Sequence, residues 1–371
     1  MNKKFWKNKR IFITGHTGFK GSWLTLWLKS LGADVVGYAL KPPTSPSMFD
    51  AAEVGKGIRS VIADVRDLGR LTKEIRAQRP EIVLHLAAQS VVRASYEDPV
   101  GTYATNVMGT VNLFESLRGQ PGLKVIVNVT SDKCYDNKEW LWGYRESDTL
   151  GGFDPYSNSK ACSELVTNAY RSSFFSRSQK TKQPAIATAR AGNVIGGGDW
   201  TKDQLVPDII RAVMRKRQVV LRNPNATRPW QFVLDALHGY LCLTERLWSD
   251  ADTYSGPWNF GPGMDGVRTV EWITSNVLTH WGENQGIRLD GAKQPHEAML
   301  LQLDASKATR LLKWRPALPL DESLEWVVEW YRGYVSGRNV SELSFEQLMR
   351  FQKRIDVNNL ERKKVHGEHA A

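Results

Sequence analysis

Short, β-branched apolar runs alternate with longer amphipathic stretches along the first half of the chain. The runs Arg10–Thr14, Asp34–Tyr38, Ser60–Ala63, Ile82–His85 and Val125–Val129 carry apolar residues at consecutive positions, the mark of strands buried on both faces. The segments between them are long enough for crossover helices, among them Gly21–Leu31 and Leu68–Gln78. This alternation predicts a parallel sheet covered on both sides by helices. Ligands of such sheets bind beyond the carboxyl ends of the strands, so the residues that follow each run are where chemistry is expected.

The pattern changes after Ile195. Gly196-Gly197-Gly198-Asp199 reads as a flexible loop, and the rest is a mixture of short helices, loops and isolated strands punctuated by Pro295, Pro316 and Pro319. The expected fold is therefore α/β: a doubly wound parallel sheet of the Rossmann type over residues 1–195, with a smaller C-terminal substrate-binding domain over 196–335. Val233–Phe260, within 233–262, is expected to return to the edge of the main sheet, and Ser344–Val365, within 336–371, reads as a polar, helix-prone tail. Internal repeats and low-complexity segments are absent from the sequence.

Composition narrows the classes. With 371 residues, 41% apolar and 24% charged, the chain suits one large domain or two joined ones, each with a substantial core. No apolar run approaches the ~20 residues of a membrane span. Basic Met1–Arg10 leads only into Ile11-Phe12-Ile13, too short for the core of a signal peptide, so a cytoplasmic enzyme is expected. Three widely spaced cysteines, Cys134, Cys162 and Cys242, read as reduced thiols without metal-ligand spacing, and no metal site is expected. The net charge of +11 comes without a nucleic-acid motif, so small phosphorylated ligands explain it better than a polyanion. The fourteen tryptophans read mainly as packing residues.

Gly15-His16-Thr17-Gly18-Phe19-Lys20-Gly21 follows the first strand and opens a helix. Glycines there permit a tight turn and bring backbone N–H groups close to a pyrophosphate at the positive helix end, which points to a dinucleotide. The second strand runs Val36-Gly37-Tyr38-Ala39-Leu40-Lys41 and lacks the acid that commonly binds the ribose hydroxyls. Lys41 or Lys20 would suit a ribose phosphate, so NAD and NADP both remain open on these residues, and weak cofactor binding is expected. Tyr156-Ser157-Asn158-Ser159-Lys160 places a tyrosine and a lysine four apart on one helix face, where an ammonium favours the phenolate and so makes a base. Thr130-Ser131-Asp132-Lys133 follows the fifth strand, where a reacting group would be placed.

The GxxGxxG spacing resembles the extended short-chain dehydrogenase/reductases, as do Asp64 after the third strand, Leu86-Ala87-Ala88 after the fourth and Asn106 in the next helix. That resemblance implies cofactor contacts from the glycine loop, Asp64, Val65, Leu86, Ala87, Ala88, Asn106, Tyr156 and Lys160, with NAD the expected cofactor. Ser131-Asp132 resembles the nucleotide-sugar 4,6-dehydratases, whose added acid protonates a leaving hydroxyl. The strings Thr130–Tyr135, Trp140–Glu146, Gly151–Ser157, Arg190–Trp200 and Arg228–Val233 closely resemble the CDP-glucose 4,6-dehydratases, and the likeness runs from about Lys7 to Tyr331. It implies oxidation at C4 of CDP-glucose with Tyr156 as base, loss of the C5 proton with the C6 hydroxyl under acid catalysis by Asp132, and hydride return to C6. Most such dehydratases carry a glutamate where this chain has Lys133. Lys133 is thus a candidate C5 base, with pairing to Asp132 or enolate stabilisation as alternatives.

The same likeness assigns Gln89, Asn193, Arg228 and the segment Leu205–Arg222 to the nucleotide sugar, and a guanidinium at 228 suits a diphosphate. Pro295-His296-Glu297 resembles a stretch at the pocket rim. A homo-oligomer, paired through helices of the dinucleotide domain, and a role in deoxysugar synthesis for surface polysaccharide such as lipopolysaccharide O-antigen are further implications. A dehydratase for another nucleotide or a 4-epimerase is the neighbouring reading, and Asp132 speaks against the epimerase. A non-catalytic NAD(P)-sensing regulator is more distant, since the Ser, Tyr and Lys are all present.

Overall fold

In the first half of the chain, alternate residues of each strand belong to two different hydrophobic clusters. Ile11, Ile13, Ile82, Leu84, Val125 and Val127 join one, and Phe12, Val83 and Ile126 join the other. This period of two, with apolar residues on both sides, produces a sheet buried on both faces. A computed structural model describes residues 1–176, 183–282, 286–291 and 298–367, with side chains as far as 361; Pro295-His296-Glu297 lies outside the described residues.

The strands are β1 (Arg10–Thr14), β2 (Asp34–Ala39), β3 (Arg59–Ile62), β4 (Ile82–His85), β5 (Val125–Val129), β6 (Ala185–Ala191), β7 (Asn193–Ile195), β8 (Val219–Leu221), β9 (Thr227–Phe232), β10 (Gly256–Phe260), β11 (Val267–Thr269) and β12 (Ile287–Leu289). Seven of them form one parallel sheet in the order β10-β6-β5-β4-β1-β2-β3. The strand order reverses beside β1, at the switch point where a doubly wound sheet opens its ligand crevice. This is the expected fold class.

The helices that position the site are α1 (Phe19–Ser30), α2 (Leu68–Gln78), α3 (Gly109–Leu117), α4 (Pro155–Ser173), α5 (Leu205–Met214), α6 (Val233–Ser249), α7 (Val270–Trp281), α8 (Leu320–Val335) and α9 (Val340–Gly367). Leu71 and Ile75 of α2 and Leu113, Phe114 and Leu117 of α3 cover one face of the sheet. Trp23 and Trp27 of α1 and the apolar residues of α6 cover the other. A three-stranded sheet, β11-β9-β7, and the pair β12-β8 stand beside the carboxyl ends of the main strands.

Two segments differ from the expectation drawn from their composition. The glycine run 196–198 is packed tightly rather than loose: Trp23 Nε1 donates to Gly197 O at 2.9 Å, and a Cβ on Gly197 would lie 2.1 Å from Trp330. Small residues are needed there for close approach of an aromatic wall. Helix α9 is polar along much of its length, yet it buries Leu343, Leu348, Phe351 and Ile355 in the main core. Trp6, Trp23, Trp27, Trp258, Trp314 and Trp330 are fully buried, so most of the tryptophan surplus is packing.

Candidate active site

A cleft of about 610 Å³ opens at the carboxyl ends of β1, β4 and β5 and is closed on its far side by β7, β8, β9 and α5. Its size suits a nucleotide-sized ligand. Gly15, Thr17, Gly18, Phe19, Lys20 and Gly21 line it, with Asp64, Val65, Leu86, Ala87 and Ala88 beside them. Gly15 has φ +79°, and a Cβ on it would lie 2.6 Å from Ala87 N; a Cβ on Gly21 would lie 2.0 Å from Gly15 O. The loop can turn this closely only without side chains. Gly18 caps α1, whose first N–H groups have no partner within the helix and face the cleft with its positive end.

His16 and Asn106, both expected at the cofactor, are buried and do not line the cleft. The His16 ring fills the space over Gly37 and its Nε2 is 2.7 Å from Ser60 Oγ, while burial pulls its pKa to about 4. Asn106 is buried: its Oδ1 accepts from Gln89 N–H at 2.8 Å, and its Nδ2 donates to Gln89 O at 2.9 Å and to Ser159 Oγ at 2.8 Å. It ties the strand-end loop to the helix of Tyr156 and Lys160. Asp64 faces the cleft, and its carboxylate takes hydrogen bonds from the Arg66 guanidinium at 2.8 and 2.6 Å that hold its pKa below the ordinary value.

Ser131, Asp132, Lys133, Tyr156 and Lys160 converge on the middle of the cleft. Asp154 caps α4 and accepts Ser157 N–H at 2.9 Å, which sets the first turn carrying Tyr156. Tyr156 and Ser131 line the same stretch of the cleft, and Ser131 Oγ donates to Asp132 Oδ1 at 3.0 Å. Asp132 is 2% exposed, and among the described residues its Oδ2 has no hydrogen-bond partner. Burial raises its pKa, against the opposing pull of Lys133, the Ser131 hydrogen bond and Arg228. Burial favours the protonated form, and a carboxyl held above its ordinary value beside a cleft is suited to acid catalysis.

The tyrosine–lysine pair is more strongly shaped by burial than by mutual attraction. Burial raises Tyr156 above the ordinary phenol value. Burial, with the charge of Lys20, pulls Lys160 down to about 7, and Lys160 Nζ donates to Val129 O at 3.3 Å. Desolvation penalises the charged form of each partner. Lys20 stands within electrostatic reach of Asp132 and Asp199 and is pulled to about 8 by burial. Lys41, beside Leu40, also lines the cleft.

Asn193 and Arg228 line the far wall. Arg228 Nη1 donates to Thr227 O at 3.0 Å and Met299 O at 3.3 Å, which fixes the guanidinium close to Asp132. Gln89 lines the cleft with its amide engaged: Nε2 donates to Val91 O and Thr102 Oγ1, both at 3.0 Å, and Oε1 accepts Val91 N–H at 2.5 Å. Sequence reasoning missed two groups. Asp203 holds Arg222 at 3.3 Å and Arg93 at 3.8 Å across the cleft, a union of distant segments with no local signal. Glu164 forms a buried pair with Arg190 at 2.8 Å and accepts from Thr188 Oγ1 at 2.8 Å; Thr130 Oγ1 also donates to it. Its signal was available: Glu164 follows Lys160 by one helical turn on the same face.

The described residues include no group of three or more His, Cys, Asp or Glu placed to hold a metal, and no described helix is long and apolar enough to cross a membrane. The GDP-mannose 4,6 dehydratase family model matches residues 12–326. The chain is 50% identical over 341 residues to a CDP-glucose 4,6-dehydratase of Salmonella typhimurium, covering 92% of this chain and 95% of that one. It is 25% identical to dTDP-glucose 4,6-dehydratase 1 of Escherichia coli, covering 87% and 92%. Among solved structures, the dTDP-glucose 4,6-dehydratase DesIV of Streptomyces venezuelae, with NAD and DAU bound, aligns with a TM-score of 0.76 at 23% identity over 90% of this chain and 99% of that one. The UDP-glucose 4-epimerase of Thermotoga maritima, with UDP-glucose, aligns with a TM-score of 0.76 at 20% identity over 88% and 99%. With a family match spanning the cleft and both of its walls, and half its residues shared with the Salmonella enzyme, this chain belongs to the GDP-mannose 4,6 dehydratase family.

Proposed function

We propose that this protein is a CDP-glucose 4,6-dehydratase, a lyase that converts CDP-D-glucose to CDP-4-keto-6-deoxy-D-glucose and water. The carrying observation is Asp132, a buried carboxyl of raised pKa, hydrogen-bonded to Ser131 and sharing the cleft with Tyr156. An epimerase needs only the Ser, Tyr and Lys; a second acid in the same space is what a dehydration requires. The 50% identical Salmonella relative supports CDP-glucose as substrate.

The side-chain-free cradle of Gly15, Gly18 and Gly21 fits a dinucleotide pyrophosphate, and NAD is the cofactor we assign to it. When bound, NAD supplies reversible two-electron chemistry between C4 and C6 of the sugar. Tyr156 takes the C4 hydroxyl proton, with Lys160 one helical turn away on the same face of α4. The 4-keto group acidifies the C5 proton. Asp132 gives its proton to the C6 hydroxyl as water leaves. Lys133 lines the cleft beside Asp132 and is the candidate for the C5 proton, with Asp132 pairing and enolate stabilisation as its other roles. Arg228 and Asn193 hold the diphosphate end.

Free Cys134, Cys162 and Cys242 suit a reducing, cytoplasmic setting. Tyr96, Val100, Met108 and Leu165 expose apolar surface on neighbouring helices of the dinucleotide half, and a homodimer through that face belongs to the proposal. The deciding experiment incubates purified protein with NAD and, separately, CDP-glucose, dTDP-glucose, GDP-mannose and UDP-glucose, and follows keto-sugar absorbance in alkali with mass detection. Loss of one water from CDP-glucose is the expected result. Turnover of another sugar would replace the substrate, and an isomer without mass loss would favour an epimerase.

A further inference from the structure

The part of the cleft formed by α5, β8 and α7 has a largely apolar lining suited to the faces of a flat ring. Leu205, Asp208 and Ile209 lie at spacings that share one face of α5, and all three line the cleft. Helix α5 packs against β8 and α7, which contribute Val219, Leu221 and Val270 to the same lining, with Ala226 and Trp230 from the approach to β9 and the strand itself. These walls are apolar and rigid: Ile209, Val219, Leu221, Ala226 and Trp230 are buried. Asp208 is the carboxylate that α5 contributes to this apolar lining. Arg211, one turn along α5, pairs with its Oδ1 and is itself held by Trp200 O at 2.8 Å and Thr201 O at 3.1 Å. The Arg211 hydrogen bond falls on Oδ1 of Asp208.

The other carboxylates along this side of the cleft are committed elsewhere. Asp203 holds Arg222 and Arg93, and Asp199 accepts Thr201 N–H at 3.0 Å and lies near Lys20. Gln204 and Asn223 also line the cleft, but an amide offers both a donor and an acceptor and so tolerates either kind of base edge. An ionised carboxylate only accepts. It attracts a base that presents an exocyclic amine and repels one that presents a carbonyl oxygen at the same position. Cytosine differs from uracil and thymine in this respect: it carries an N4 amine where they carry O4. Resting on the dehydratase reading above, we propose that Asp208 accepts a hydrogen bond from the cytosine amine and is the residue that selects CDP-sugars over UDP- and dTDP-sugars.

Arg211 is a positioning residue in this account, holding one carboxylate oxygen so that the other meets the base edge. The test compares kcat/KM for CDP-glucose, UDP-glucose and dTDP-glucose in the wild type and in Asp208→Asn, together with equilibrium binding of CDP and UDP as free nucleotides. An asparagine can turn its amide to donate to a carbonyl oxygen. The expected result is a fall of about 10- to 100-fold for CDP-glucose, with UDP-glucose unchanged or improved, so that the CDP-to-UDP ratio collapses. Free CDP should lose its binding advantage over UDP in parallel. Equal losses with all nucleotides, an unchanged ratio, or a wild type that binds CDP and UDP alike would overturn the assignment. CDP selectivity that depends on Asp208 in a protein unable to dehydrate CDP-glucose would sink the proposed reaction and leave this assignment standing.

Discussion

Burial holds the Asp132 carboxyl above the ordinary aspartate value, so it retains its proton to higher pH than an exposed aspartate would. A general acid must carry that proton, so turnover falls as pH rises through this raised pKa. Asp132→Asn should retain oxidation at C4, seen as reduced cofactor on stopped-flow mixing, while water loss slows by about 10²–10⁴-fold and the alkaline limb disappears. Tyr156→Phe should instead prevent the oxidation itself, with a comparable fall in kcat and near-normal binding of CDP-glucose by calorimetry. Lys133→Ala separates the alternatives for that residue: persistent exchange of the C5 proton into deuterated solvent at the normal rate would remove it from the role of base. These three side chains are near neighbours, yet each change is expected to halt a different atom of the sugar.

The elements determine how closely those groups meet. The cofactor turn works because β1 ends against β4 and α1 starts almost on top of the turn: a Cβ at Gly21 would lie 2.0 Å from Gly15 O. Gly21→Ala should cost about 1–3 kcal/mol of overpacking, read as a lower urea midpoint at unchanged slope, and should weaken NAD binding in a fluorescence titration. Strand β4 brings a second consequence. His85 is buried at its end, its Nδ1 is 2.6 Å from Thr14 Oγ1, and burial with the nearby Lys160 pulls its pKa to about 3. With His16 at about 4, both rings are neutral in the fold and would bind protons on unfolding once the pH falls below 6.5. Their stabilising contribution is therefore complete above 6.5 and is lost as pH falls toward 4 and 3. His85→Gln should flatten the acid side of the stability profile measured by urea unfolding.

At the scale of the whole molecule, a buried polar network beneath the loop after β5 joins elements far apart in sequence. Glu164 on α4 joins Arg190 on β6, Arg190 Nη1 donates to Tyr135 OH at 2.8 Å, and Tyr135 OH donates to Asn259 Oδ1 on β10 at 2.7 Å. The edge strand of the sheet, the catalytic helix and the segment after Asp132 are thus one hydrogen-bonded unit. Removing one partner leaves a buried charge unmatched, so Glu164→Ala should cost about 3–5 kcal/mol by chemical denaturation. Subunit pairing is testable at the same scale. Leu165 is 56% exposed on α4, and Leu165→Glu should convert a dimer to monomers in sedimentation if the proposed face is the interface.

Local pattern was enough for the sheet and for much of the site. Arg10–Thr14, Ile82–His85, Val125–Val129 and Leu68–Gln78 take the predicted structure to the residue; the second strand runs one residue longer, to Ala39, and the third is displaced by one residue, to Arg59–Ile62. Apolar periodicity and glycine spacing are properties of neighbouring residues, so they are readable along one chain. Gly15 to Gly21, Ser131, Asp132, Tyr156 and Lys160 were visible for the same reason: each motif is contiguous or one helical turn long. What the sequence left open was decided by contacts between segments far apart. Lys20 lies in the glycine loop by number, but the packing of α1 against the sheet turns it toward Asp132 and Asp199. Burial, a property of the assembled fold, raises Asp132 and depresses Lys160, reversing the balance that a tyrosine and an ammonium alone would suggest. The apolar lining around Asp208 exists only because α5, β8 and α7 converge. Covalent neighbours determined the elements and the candidate reacting groups; distance, desolvation and opposing walls, which set pKa and the proposed selectivity, arise only when the chain is folded.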